Sequence, residues 1–272
     1  MHEIGREMEM LRKELMYGGA ALLLTVSLPG LAHAQITVSG SAWGDTCSLW
    51  GRTVTEYVSG PFTISIGATG GPQAWDFSAL AGTEVAFTDT FLDPRGGPLA
   101  EFYPDANLIR GTLILKASPS GLETLGWRDG RYHFVHTPPI PSWKWPLTLG
   151  SSWVGHSTIA IGEADVTYTV ENVVDAWGTV KVPAGALECV RVRIHNVTVW
   201  PDRTEGNYDF RWLSEDGRVL AAIGTDEWRE DPDFSVDVPV RVYKSSGTAF
   251  SPPNCPTAVS GCSWGEIKSL LH

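Results

Sequence analysis

Basic residues are scarce in this 272-residue chain, with 20 Lys and Arg against 31 Asp and Glu, a formal net charge of −11. A surface of that sign repels phosphate backbones, so a nucleic-acid partner is not expected. Charged residues of both signs make up only 19% of the chain while hydrophobic ones make up 43%, which excludes a disordered tail or a solvated coiled coil. No HExxH zinc helix, GxSxG elbow, P-loop, dinucleotide fingerprint or CxxC pair occurs, so the common catalytic and metal-binding machines are absent. Long apolar runs are missing too. The longest, about Gly18 to Leu31, contains Pro29 and falls short of the roughly 20 residues that span a bilayer, so no membrane span is expected.

That apolar run follows Arg12 and Lys13 and ends in Ala32-His33-Ala34, the small-x-small pattern of a secretory signal. Residues 1–34 therefore read as a signal peptide cleaved after Ala34, and the expected location is secreted, cell-surface or periplasmic. Glu3, Glu7 and Glu9 oppose the usual positive start of such a segment, so translation starting at Met10 would give a more conventional signal. An exported chain with an even cysteine count favours disulfides. Cys255 and Cys262 close the shortest loop, which costs the least entropy, and Cys47 with Cys189 follows by elimination.

Gly (29) and Pro (18) are plentiful, and they break short alternating apolar runs every eight to twelve residues. That rhythm predicts an all-β protein with little helix, either an antiparallel β-sandwich or a curved, barrel-like meander. Strands are expected at Ile36 to Ala42, Thr53 to Val58, Phe62 to Ile66, Glu84 to Phe91 and Gly111 to Lys116, and Glu123 to Arg128 pairs with Tyr132 to His136 through an Asp129-Gly130 turn. The clearest meander is Val166 to Glu230. In it Val190, Val192 and Ile194 share one face of a strand and should point to the core, leaving Arg191, Arg193 and His195 to face out. Asp209 and Arg211 on the next strand are the expected ion-pair partners of those cations. Prolines 138, 139 and 141 suggest a rigid crossing, which divides the mature chain into residues 35–142 and 143–245, packed together. Residues 246–272 read as a loop-like tail with a short terminal helix.

Ala74-Trp75-Asp76-Phe77-Ser78-Ala79-Leu80, Phe102-Tyr103-Pro104-Asp105-Ala106-Asn107-Leu108, Trp145 to Trp153 and Val182 to Val192 occur in this order over roughly residues 60 to 225. The series resembles a loose group of uncharacterised secreted bacterial β-rich proteins, some of which carry type IX secretion sorting domains. The resemblance implies an exported β domain and brings no catalytic residues or cofactor with it.

Three readings of function follow. The leading one is a noncatalytic exported binding or structural protein, with an extracellular glycan or a cell-surface protein as partner. Twelve Trp supply rings that fill β cores or stack on sugars, and Trp143 and Trp145, two apart beside prolines, are the candidate glycan platform. A second reading is a glycan-active hydrolase. It would draw a carboxylate pair from Asp226, Glu227, Glu230, Asp231, Asp233 and Asp237, whose oxygens also suit calcium, although such a run is ordinarily a solvated loop. The third is an apolar-ligand carrier built on a closed sheet. His133, His136 and His156 are too scattered in the sequence to suggest a metal centre.

Overall fold

The computed structural model describes residues 35–46, 49–59, 64–78, 85–95, 98–182, 185–224, 233–234 and 240–245; residues 53–59, 64, 85–89, 233–234 and 240–245 are described by their backbone alone. The described residues belong to one compact unit, Gln35–His272. Fifteen strands run in the order β1 Thr53–Ser59, β2 Ile64–Ser65, β3 Gly70–Asp76, β4 Val85–Leu92, β5 Leu108–Arg110, β6 Leu113–Ser118, β7 Gly121–Asp129 and β8 Tyr132–Lys144, followed by β9 Ser152–Ile161, β10 Ala164–Val182, β11 Gly185–Val199, β12 Thr204–Leu213, β13 Val219–Gly224, β14 Asp233–Phe234 and β15 Val240–Ser245. The protein is all-β and almost entirely antiparallel. Strands β1 and β4 through β13 join β15 and β3 in one 13-stranded sheet, β2 and β14 pair separately, and a further pairing of β10 with β11 closes the twelve strands of the large sheet other than β3 into a ring. The ring is a barrel-like meander from β5 to β13, whose sequential strands pair through short connections, and β15, β1 and β4 complete it. The boundary expected near residue 142 falls inside β8, which pairs with β7 on one side and touches β9 on the other. The crossing expected at the prolines is thus the second half of a strand.

Alternation along each strand sends every second side chain into the ring. Phe91, Leu108, Leu115, Leu122, Trp143, Trp153, Val174, Val190, Val192 and Leu213 come from successive strands around it and form one buried cluster. The chain's first described segment closes one end of that interior. The strand expected from Ile36 to Ala42 does not form; Val38 makes a single bridge to Leu147, and Ser41–Gly44 is one helical turn. Hydrogen bonds from Ser39 and Ala42 to the carbonyls of Glu215 and Asp216, and from the Trp43 indole to Gly217, tie this segment to the β12–β13 turn.

Two further clusters coat the outside. Over β10 to β13 lies β3, paired parallel to β10, which brings Trp75 and Phe77 onto Trp212 at ring-centroid distances of 5.6 and 4.9 Å. Gly178 permits this docking, since a Cβ there would collide with the Gln73 backbone. Over β5 to β7, Leu99, Tyr103 and Ala106 cover Ile109, Ile114 and Leu125. Tyr103 fills the space above Gly126, where β7 and β8 shift register, and its hydroxyl lies 3.1 Å from the carbonyls of both Trp127 and Phe134.

The outer cluster under β3 changes the reading of β11. Val190, Val192 and Ile194 are in the interior as expected, but Arg191 is also buried, at 1% exposure. The face expected to meet solvent is covered by β3 and by Tyr208, Phe210 and Trp212 of β12. Arg191 pairs not with Asp209 but with Asp175, the extra residue at a register shift in β10. Arg193 is half-buried beside it, and the His195 ring stacks on Tyr208 at 4.5 Å with Nδ1 3.3 Å from Glu171. Asp209 instead lies on the interior face, beside Arg211 at 3.7 Å and Asn196 at 3.3 Å.

Candidate functional site

Strand direction separates the two ends of the ring. The N-terminal segment fills the end carrying the β8–β9 and β12–β13 connections. The opposite, distal end carries the turns between β7 and β8, β9 and β10, and β11 and β12. Towards it the interior lining changes from aliphatic to aromatic and polar. Trp127 and Phe134 stack at 5.0 Å, and Tyr168 stands edge-on to Trp127 at 6.2 Å and to His136 at 5.5 Å. Ser157 faces Tyr168 across β9 and β10, and its hydroxyl lies 3.0 Å from His136 Nδ1. Deeper in, the Asn172 side chain is 1% exposed; its Nδ2 reaches only the Val170 carbonyl at 3.5 Å and its Oδ1 has no hydrogen-bond partner.

A serine hydroxyl on a histidine nitrogen is the contact from which nucleophilic catalysis is built. Here both groups are buried, and the ring neighbours of His136 are Trp127 and Tyr168, with no carboxylate among its described contacts. Burial pushes the His136 pKa down to about 4, so the ring is neutral at pH 7 and serves as a packed hydrogen-bonding group. Burial, with the nearby Glu205 charge, raises the Tyr168 hydroxyl above its ordinary value, so it too is neutral.

The depressed histidine pKa makes stability depend on pH. The unfolded chain takes up a proton near pH 6.5, whereas the folded His136 does so only near 4. The stabilisation is therefore complete above pH 6.5 and is lost as pH falls from there towards 4, by about 3 kcal/mol in all. Urea titrations at pH 7, 5.5 and 4 should show wild type losing more stability over this interval than His136→Gln, by about that amount. Parallel losses in both proteins would show that His136 is not the group concerned.

The residues singled out from sequence do not meet at this site. Trp143 and Trp145 are 3% and 8% exposed, stacked at 6.2 Å within the interior, and Trp153 abuts Trp143 at 6.1 Å. They form no surface platform, because alternation along β8 turns Trp143 inward and Trp145, just past the end of β8, joins the same buried cluster. Cys189 is a free, buried thiol whose hydrogen points to the Gly178 carbonyl at 3.6 Å, and burial pushes its pKa up to about 12. The Cys47–Cys189 pairing is thus not formed: the β11 alternation puts the thiol into the outer cluster under β3. Cys47, Cys255 and Cys262 lie outside the described residues, as do the signal segment and the acidic side chains from Asp226 to Asp237. His133 lies under Phe102, and His156 bonds Thr169. Among the described residues no three His, Cys, Asp or Glu side chains gather as metal ligands, and no helix is long and apolar enough to cross a membrane.

The four sequence patterns prove to be packing devices. Trp75 and Phe77 cover Trp212; Tyr103 fills the register shift, and Asn107 brackets the backbone of Ala117 with bonds of 2.7 and 2.8 Å. Leu147 and Trp153 line the interior, and Arg191 anchors the outer cover. What sequence reasoning missed is the distal surface. Tyr132 at 58% and Phe102 at 46% are the most exposed aromatic side chains among the described residues. Both stood beside a recognised signal, the Asp129-Gly130 turn and the Phe102-Tyr103 pattern.

Fold and lining together define an all-β protein with a closed antiparallel ring, one end filled by its own N-terminal segment and the other aromatic. No family profile and no curated protein matches the sequence. A solved structure of a Bacteroides fragilis protein, described as exported and as having a YmcC-like fold, aligns with 77% of this chain and 97% of its own at 9% identity and a TM-score of 0.30.

Proposed function

We propose that this chain works after export as a noncatalytic binding protein whose contact surface is the distal end of the ring. Export rests on the Arg12 to Ala34 pattern. The observation that carries the binding reading is the concentration of exposed apolar groups around the β7–β8 turn, where Phe102, Leu113, Tyr132 and Val135 are all more than a third exposed. Apolar groups gathered on one surface mark contact sites, whereas scattered ones need no explanation. The noncatalytic part rests on the four sequence patterns, whose described side chains pack the fold. Hydroxyl-radical footprinting tests the reading directly. Tyr132 and Phe102 should be labelled several-fold less in intact cells, where their partner is present, than in the purified protein. Equal labelling in both settings would show a surface that nothing covers and would reject the proposal.

A further inference from the structure

The distal hairpin exposes apolar side chains on both of its faces, interleaved with Asp129 on one and with Arg128 and His133 on the other. Tyr132 pairs with Asp129, Phe134 with Trp127 and Leu113 with Trp127, so Tyr132, Leu113, Trp127 and Phe134 lie on the interior side of the strands. His133 and Val135 fall on the opposite side, where the Phe102 ring stacks on His133 at 4.2 Å. Tyr132 and Leu113 are 58% and 39% exposed on one face, and Phe102 and Val135 are 46% and 37% exposed on the other. An antiparallel hairpin reaching into water ordinarily keeps its exposed apolar side chains off at least one face, and this one does not. Glycan stacking or a flat protein partner would cover one face and leave the other wet. A lipid interface surrounds an inserted tip on every side.

The charges around the tip are balanced. Arg128 and Arg131 are exposed and not ion-paired among the described residues, and the exposed acidic residues Asp129, within the same hairpin, and Glu101, next to Phe102, are equal to them in number. Arg131 lies 5.2 Å from the Tyr132 ring centroid and donates to the Tyr132 hydroxyl at 3.2 Å, which holds the most exposed ring in place. Tyr and Trp beside arginines suit the headgroup level, where an apolar ring enters the chain boundary and the polar atoms stay wet. Mixed charges of equal number match an ammonium and phosphate headgroup better than a uniformly anionic one. We infer that the tip formed by the β7–β8 turn, Phe102 and Leu113 docks peripherally on a zwitterionic phospholipid surface. This rests on the reading of the distal end as the contact surface and names its partner.

The purified full chain should co-sediment with phosphatidylcholine vesicles. On them Tyr132 and Phe102 should be protected from hydroxyl radicals. A Phe102→Ser/Tyr132→Ser double variant, both changes being at exposed positions, should lose about tenfold in partitioning while its thermal melt is unchanged. Replacing part of the phosphatidylcholine by phosphatidylglycerol should change binding by no more than about twofold, because the tip carries no net charge. Failure to sediment, or equal sedimentation of the double variant, overturns the proposal. So does a large gain with phosphatidylglycerol that salt removes, which would mean anionic attraction, or a dimer in sedimentation equilibrium that the double variant dissolves, which would make a second copy the partner. If vesicles fail while Tyr132 and Phe102 remain protected in cells, the distal contact surface stands and only its lipid partner is rejected.

Discussion

Arg191→Ala should lower folding stability by about 3–5 kcal/mol, read as a shifted urea midpoint with an unchanged slope. All five guanidinium hydrogens have acceptors. Nε and Nη2 bond the two Asp175 oxygens at 2.8 and 3.1 Å, Nη2 also reaches the Ala68 carbonyl at 3.1 Å, and Nη1 reaches the carbonyls of Ile66 and Gly67. Trp75 and Phe210 flank the group, each 5.6 Å from its carbon. Truncation leaves Asp175 as a buried charge and removes the arginine donors of the Gly67 and Ala68 carbonyls, while the Ile66 carbonyl keeps the Trp75 indole N–H. The loop from Ile66 to Ala68 leads into β3, so its release loosens the whole outer cover. Removing both charges with apolar replacements of similar volume, Arg191→Met with Asp175→Leu, should recover much of the loss. A stability change below about 1 kcal/mol for Arg191→Ala would contradict the buried pair.

Trp212→Ala should cost a similar 3–5 kcal/mol, for a different reason. Its ring is fully buried and meets Trp75 and Phe77 edge-on, so truncation opens a cavity between the sheet and β3. The indole nitrogen has no hydrogen-bond partner, so Trp212→Phe gives up volume but no bond and should cost well under half as much. Calorimetric melts of the two variants distinguish these cases. Near-equal losses would show that the indole nitrogen matters more than the ring volume.

The meander was legible because period-two alternation and the Asp129-Gly130 turn are local signals, and local backbone preference largely decides a strand or a turn. The interior placement of Val190, Val192 and Ile194 was legible for the same reason. The opposite face of that strand was not. Alternation tells which residues share a face but not what covers it, and β3, more than a hundred residues away, buries Arg191. Trp143 and Trp145 show the same limit from the other direction, since spacing correctly placed them together without saying whether water or Trp153 would lie against them.

The apparent strand at Ile36 to Ala42 failed because its apolar residues satisfy the open end of a ring instead of a strand neighbour. The distal surface escaped notice for a related reason. Phe102, Leu113, Tyr132 and Val135 are spread over 34 residues of sequence and gather only because β6, β7 and β8 align their ends there. Composition, charge and alternation by themselves determined an acidic all-β chain, its turns and the sharing of faces, because those depend on neighbours along the backbone. Only tertiary structure decided that the sheet closes, that an outer cover buries a cation with its carboxylate, and that Phe102, Leu113, Tyr132 and Val135 come to the same end of the ring. Those outcomes depend on which distant segments exclude water from each other.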